Sequence, residues 1–424
     1  MQRASLVASV AALFVLGSTA TPTRAQGPHS DYDDVDPWVG FQSLEPAADS
    51  AAVARFLKAL AASDPLVCQL SVGSIGNHWG HGDDALQIGL LAGETRLTRE
   101  RDALGRSITD PAALGLLSST LSDPNPCVRR AAARLLGNSE TAESVRQLRT
   151  VLRSRDPRMR EAAALGLADT EDPASLHDLA QALKDSDQSV IRMAAYALGD
   201  LEDARAVKPL GQLLSSKDAA TRATAAWALG QIEDIRSAER LTPLVKDNDP
   251  GVRLAAVEAL GEIEDYRSTG ALTEALKDSD VRVRRAAAEA LGEVEDQKAA
   301  GALEKALEDK DPVVRRLAAQ SLGELDGLKR APARLGGALA DRDQQLAIIA
   351  ARSLGEIGDT TVVPALSTAY GSENPRLRFS VVSALADLED ERGNAVLGQA
   401  RKDPDQIVRH KASEVLRDRE DDDD

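Results

Sequence analysis

The chain has 424 residues, a formal net charge of -17, 43% apolar residues and only 3% aromatics. That length is more than one compact core usually holds. Small apolar side chains with few aromatics argue against a β-sandwich, and the acidity makes nucleic-acid backbone and anionic lipid poor partners.

The first 25 residues read as a signal peptide. Arg3 is followed by an almost wholly apolar stretch from Ala4 to Gly17, and Thr23-Arg24-Ala25 offers a small-x-small cleavage site before Gln26. The expectation is an exported protein, periplasmic or secreted. No later segment is apolar for 18 residues, so no membrane insertion is expected. Residues 26–50 contain Asp31-Tyr32-Asp33-Asp34 and Pro37-Trp38 and no helical period, which predicts an irregular segment or an N-terminal cap.

From residue 51 to 417 the dominant signal is a period. Gly137, Ala168, Gly199, Gly230, Gly261, Gly292 and Gly323 follow one another at 31 residues, and Gly355, Ala386 and Arg417 continue the ladder after a one-residue insertion. Gly105 and Gly76 extend it upstream with looser spacing, giving about twelve units with a degenerate one at 77–105. Each unit holds two helical patterns. The first carries Leu at i and i+4, as in Leu148 and Leu152 or Leu272 and Leu276; the second runs as in Val283 to Gly292. Asp156, Asp187, Asp218, Asp249, Asp280 and Asp311 sit where an N-cap of the second helix belongs, often followed by Pro. The glycine after Leu reads as the place where that helix ends or bends. The acids after it, as in Glu262-Ile263-Glu264-Asp265, read as the start of the next unit.

Within the degenerate unit, Asn77 to Asp84 gathers His78, His81, Asp83 and Asp84 in a Gly-rich stretch. These side chain types bind divalent metals, but a flexible loop is a poor pre-formed site, so no cofactor is expected. Cys68 falls on the second helix of the first unit and Cys127 in the turn of the third. Two repeats of stacking would separate them by roughly 20 Å, which predicts two free thiols.

The unit D-x-D-P-x-V-R-x-x-A-A-x-A-L-G-E-I resembles HEAT repeats of the phycobilisome-lyase type, over about residues 51–417 and most strongly from 117 to 324. The resemblance implies an all-α fold, a right-handed α-solenoid. It also implies that the Arg column Arg129, Arg160, Arg222, Arg253, Arg284 and Arg315 forms a ladder of carboxylate contacts between neighbouring turns. Function is less specified, because relatives include scaffolds, bilin lyases and an iron-dependent hydroxylase. The hydroxylase binds iron through His-Glu pairs, and none of His29, His78, His81, His177 or His410 precedes a Glu.

Five residues after the Arg column lies a variable position that holds Tyr196, Trp227, Glu258 and Glu289 in successive units, with Arg192, Arg285 and Arg316 one turn earlier. An aromatic step flanked by Arg and Glu suits a protein or peptide partner; the alternative is that both rings fill space between repeats. The sequence therefore reads as an exported scaffold that binds a protein partner on the concave face of the second helices. The alternative is an enzyme, lyase-like or oxidoreductase-related, or a metal-dependent one using the loop from His78 to Asp84. The tail from Asp418 to Asp424 holds six acids and one Arg and is expected to be solvated and irregular.

Overall fold

The computed structural model describes residues 49–63, Cys68, Leu104 and 108–422 except 140, 171 and 173, with side chains as far as Arg419. Residues 1–25, 26–48 and 78–84, with the expected signal peptide and the candidate metal ligands His78, His81, Asp83 and Asp84, lie outside the described residues. The described part belongs to one unit spanning Pro46–Asp424. Its helices alternate in two rows, and no strand occurs among the described residues beyond one isolated bridge between Asp296 and Asp326.

After the helix Ser50–Ala61, ten helix pairs follow from Pro111 to Asp422. A short first helix, such as Thr269–Ala275, leads through a tight turn into a longer second helix, such as Val281–Glu293. The turn works as the composition requires. Asp156, Asp187, Asp218, Asp249, Asp280 and Asp311 each accept a hydrogen bond from a backbone N–H in the first turn of the following helix. Such caps satisfy donors that the helix cannot satisfy itself. Pro126, Pro157, Pro250, Pro312 and Pro375 occupy the first helical position, where no N–H is needed. The apolar columns close the core: Leu148, Leu179, Leu210, Leu272 and Leu303 from the first row, and Leu136, Leu167, Leu198, Leu229 and Leu291 from the second, are fully buried.

The periodic glycines do not end the helices. The second helices run past Gly199, Gly230, Gly261 and Gly292, which lie in their last turn. Their role is close approach. A Cβ on Gly230 would sit 2.8 Å from the Ala259 Cα, and one on Gly199 2.8 Å from the Ala228 Cα. Each helix runs one residue further, and just beyond its C-cap Glu202, Glu233, Glu264, Glu295 and Glu389 take left-handed φ between 48° and 56°. Gly358 fills the same place with φ 73°.

Two terminal expectations change. The last helix does not stop at Arg417 but continues as Gln406–Asp422. Arg419 holds this extension down: its guanidinium donates to the Asn394 side chain at 2.6 Å and to the carbonyls of Leu385 and Ala386 at the end of the preceding second helix. At the other end, Cys68 and Cys127 are joined as a disulfide across 59 residues, with Cα atoms 6.2 Å apart. The free-thiol expectation assumed that the degenerate unit is stacked between the first and third. Instead the helix Ser50–Ala61 packs directly on Pro111–Thr120 and Pro126–Gly137, which brings the two cysteines within bonding reach.

Candidate functional site

Consecutive second helices pack face to face along the chain, while consecutive first helices barely touch. The packing glycines and alanines make this possible, because they let one backbone approach the next. The second helices therefore form the more closely packed of the two rows, here called the inner row.

Two sets of charges follow the repeat. In the first, five arginines have a carboxylate partner. Arg160 makes a two-pronged ion pair with Asp185, at 2.7 Å for both bonds, and its remaining guanidinium nitrogen donates to the Ser154 carbonyl at 2.9 Å. Arg222 with Asp247, Arg253 with Asp278, Arg284 with Asp309 and Arg378 with Asp403 repeat this arrangement at a spacing of 25 residues. The carboxylate partner is thus the first Asp of the D-x-D turn, and the second Asp caps the helix. Arg129 and Arg315 keep the carbonyl bonds of the ladder, to Asp123 at 2.7 Å and to Asp309 at 2.9 Å. Asp403 also accepts from the Tyr370 hydroxyl at 2.6 Å, and its side chain is only 1% exposed. The Arg378 guanidinium holds its pKa down at about 2.

Arg192, Arg285 and Arg316, placed by the sequence on the binding face, each reach the cap Asp of the next unit: Asp218 at 3.1 Å, Asp311 at 2.7 Å and Asp343 at 2.9 Å. They are half-exposed along the edge of the row, already engaged with carboxylates.

The rings of Tyr196 and Trp227 stack with centroids 4.9 Å apart and planes 5° from parallel. Trp227 is 8% exposed and lies over Gly199, so it fills the space between repeats; Tyr196 is half-buried and forms the open side of the pair. Around Tyr196 stand Arg134, Asp169 and Asp200, close enough to bias its hydroxyl. Asp169 is held loosely by Arg134 at 3.9 Å, its side chain 6% exposed, and its Oδ2 accepts no hydrogen bond. Burial pushes its carboxyl up to about 7, opposed by Arg134.

The second set of charges is unpaired. Glu258 and Glu289 occupy the variable column, and Glu262 and Glu293 lie one turn further along the same helices. None of these four carboxylates makes a hydrogen bond or an ion pair among the described residues. Glu258 is half-buried, whereas the side chains of Glu262, Glu289 and Glu293 are exposed to solvent. Burial and the charges of Glu289 and Glu262 raise Glu258 to about 7, against only a distant Arg282 whose own guanidinium binds Asp280 at 2.7 Å. Burial and then Glu289, Glu262, Glu264 and Glu324 raise Glu293 to about 8.

The Glu262–Glu293 column continues through Asp200, Glu324, Glu356 and Asp387, each in the last turn of a second helix or just before its end. The sequence reading assigned such acids to the start of the next unit. Asp265 does open that unit, accepting from the Arg267 N–H at 3.0 Å as the cap of the turn Tyr266–Ser268, whereas Glu262 and Glu293 lie at the negative end of a helix, where a carboxylate is disfavoured. The residue after each packing glycine, spaced as the glycines are, was the available signal.

A family model described as HEAT repeats matches residues 113–198, 176–261, 238–323, 271–341 and 331–417. The chain belongs to the HEAT-repeat family. Among solved structures, this HEAT solenoid is similar to importin beta, at 16% identity over 86% of this chain and 58% of that one, with a TM-score of 0.55. It is also similar to Kap95p in its complex with RanGDP, at 14% identity over 87% of this chain and 60% of that one, with a TM-score of 0.52. The chain thus spans less than two thirds of either protein. A subunit of the CpcE–CpcF phycocyanin lyase from Nostoc sp. PCC7120 aligns at 24% identity over 60% of this chain and 92% of that one, with a TM-score of 0.34. No curated protein matches the sequence. Among the described residues no group of three or more His, Cys, Asp and Glu side chains is arranged to hold a metal ion.

Proposed function

We propose that this HEAT solenoid is an exported scaffold that holds a protein or peptide partner on the face of its inner helix row. The observation that carries the reading is the Tyr196–Trp227 stack: Trp227 is wedged over Gly199, and it presents the half-open Tyr196 ring on a face of charged side chains. A rigid aromatic anchored from behind and bordered by charge contributes contact area with little loss of side chain entropy on binding. HEAT solenoids as a class are protein-binding folds. Two features support export: the leader-like first 25 residues, and the Cys68–Cys127 disulfide, which persists in an oxidising compartment.

The test uses residues 26–424 as bait in an extract of the cell envelope, beside a Tyr196→Ala/Trp227→Ala version, with captured proteins read by mass spectrometry. The reading predicts a partner captured by the native chain and lost with the double variant. A partner retained equally by both would move the site off the ring pair, and no captured partner would contradict the scaffold.

A further inference from the structure

One rung of the ladder lacks its carboxylate. The arginine of a rung reaches the residue 25 positions on, where Asp185, Asp247, Asp278, Asp309 and Asp403 stand for five arginines. Serine stands there instead at Ser154, Ser216 and Ser372. Each serine keeps the bond inside its own turn, accepting the N–H two residues on at 3.2 Å, but brings no charge. Opposite two of them the arginine has gone as well: Ile191 faces the Ser216 position and Ala347 the Ser372 position. Opposite Ser154 it has stayed, as Arg129, which is only 8% exposed. Arg315 is not a second case, because an acid, Asp341, still stands at its rung after the one-residue insertion, and Arg409 belongs to the last unit. The Arg129 Nη1 donates to the carbonyls of Asp123 and Pro124 at 2.7 Å and 3.0 Å. Its Nε and Nη2, the atoms that grip the aspartate in the other rungs, make no hydrogen bond among the described residues, and it makes no ion pair there. A buried guanidinium left alone is the destabilising half of an ion pair, and the chain twice removes it elsewhere. Keeping it breaks the local rule with no structural return, which is where function is expected. The second observation is a cavity. Arg129 lines a shallow, solvent-open cleft of about 200 Å³ between its own helix Pro126–Gly137 and the next second helix, Pro157–Ala168. Arg130, Arg158 and Glu161 line it as well, with Leu165 and Met193 as apolar wall. Glu161 lies 3.4 Å from Arg130, and Asp156 lies 2.8 Å from Arg158. Three guanidinium groups against these two carboxylates leave one positive charge, in a chain of net charge -17.

We propose that this cleft binds an organic carboxylate, which takes the place of the missing rung on Arg129 and rests an apolar group on Leu165 and Met193. The inference goes beyond the scaffold reading and stands without it. The free edge of Arg129 offers two parallel donors, the fork that matches a planar carboxylate and that holds one in each of the five complete rungs. The single net positive charge suits a monoanion better than a doubly charged phosphate. A cationic ligand would meet three arginines. The carboxylate comes from a free acid or from the C-terminus of a polypeptide, and the chemistry that recognises it is the same.

The probes are hexanoate and the tripeptide N-acetyl-Ala-Ala-Leu, each beside its amide, with inorganic phosphate as a further anion. They are titrated into the native protein, Ser154→Asp and Arg130→Gln/Arg158→Gln, and binding is read from the NMR signals of the probe. Ser154→Asp restores the rung, so it occupies the fork from within and adds an ion pair instead of removing one; loss of binding therefore cannot come from unfolding. The expected result is saturable binding of at least one acid and not of its amide. Ser154→Asp should weaken that binding roughly tenfold or more and raise the thermal unfolding midpoint, and Arg130→Gln/Arg158→Gln should weaken it less. Hexanoate bound as well as the tripeptide makes the ligand a free acid, and the tripeptide bound alone makes it a polypeptide C-terminus. The proposal is overturned if the amides bind as tightly as the acids, if phosphate binds more tightly than either acid, if Ser154→Asp binds like the native protein, or if neither acid binds.

Discussion

The Arg–Asp ladder and the inner glutamate row carry similar numbers of charges at the same spacing, yet they do opposite things. In the ladder each guanidinium is fixed by two carboxylate oxygens and by carbonyls of its own turn, so the pair joins one repeat to the next. In the inner row each carboxylate faces others of its own sign. Five of the ladder's arginines find a carboxylate within the chain, whereas none of the row's four glutamates makes an ion pair among the described residues. A periodic column of charge is therefore not evidence of one role, and what distinguishes structure from site is whether the partner charge is also encoded.

The comparison is broken most severely from the ladder side. Arg378→Ala would leave the nearly buried Asp403 with only the Tyr370 hydroxyl and a backbone N–H. Removing one member of such a pair costs about 3 kcal/mol or more. Hydrogen exchange should show opening of the units around residues 363–419, and unchanged protection there would mean that the ladder is ornamental. Cys127→Ser removes the clasp on the first helix and should cost about 2–4 kcal/mol, seen as faster exchange in residues 50–61. Gly230→Ala forces a methyl against the Ala259 backbone at 2.8 Å. Overpacking of this type costs about 1–3 kcal/mol, and thermal unfolding should register it.

The smallest effects come from the inner row and sharpen the comparison by their sign. Glu258 and Glu293 are raised in the folded protein to about 7 and about 8. The folded state therefore binds more protons than the unfolded chain across that window, and stability rises as pH falls through it. Asp311 and Asp403 are lowered to about 2 by Arg285 and Arg378. Their contribution is present above the unfolded value near 3.8 and is lost as pH falls towards 2. Acid below about pH 4 should thus attack the Asp311 and Asp403 ion pairs, and rising pH should load the inner row from the unfolded value of 4.5 up to about 8.

Much of the fold was legible because it is local and repeated. Asp249-Pro250 or Asp311-Pro312 specifies a cap and a first turn wherever it stands, and Leu columns 31 residues apart can only be stacked. The rest depended on choices that a pattern does not make. Both aspartates of D-x-D lie near the arginine of the preceding unit, and only the folded turn decides that Asp185 pairs and Asp187 caps. The second helices end at residues such as Glu233, a non-glycine in left-handed conformation that gives no sequence signal. Gly230, which looks like a terminator, is instead a contact point. Ending the helix at the glycine assigns Glu262 and Glu293 to a helix N-terminus, whereas they are the last residues of their helices. A periodic count puts a whole unit between Cys68 and Cys127, whereas the helix Ser50–Ala61 packs directly on Pro111–Thr120 and Pro126–Gly137.

The most direct measurement is the thermal unfolding midpoint from about pH 6 to about pH 9, for the native chain and for E258Q/E289Q/E293Q. If the inner row is uncompensated charge, the native midpoint falls as pH rises and the variant's stays much flatter, crossing above it at the alkaline end. Parallel curves would contradict the account, because they would mean that these glutamates are as well compensated as the aspartates of the ladder.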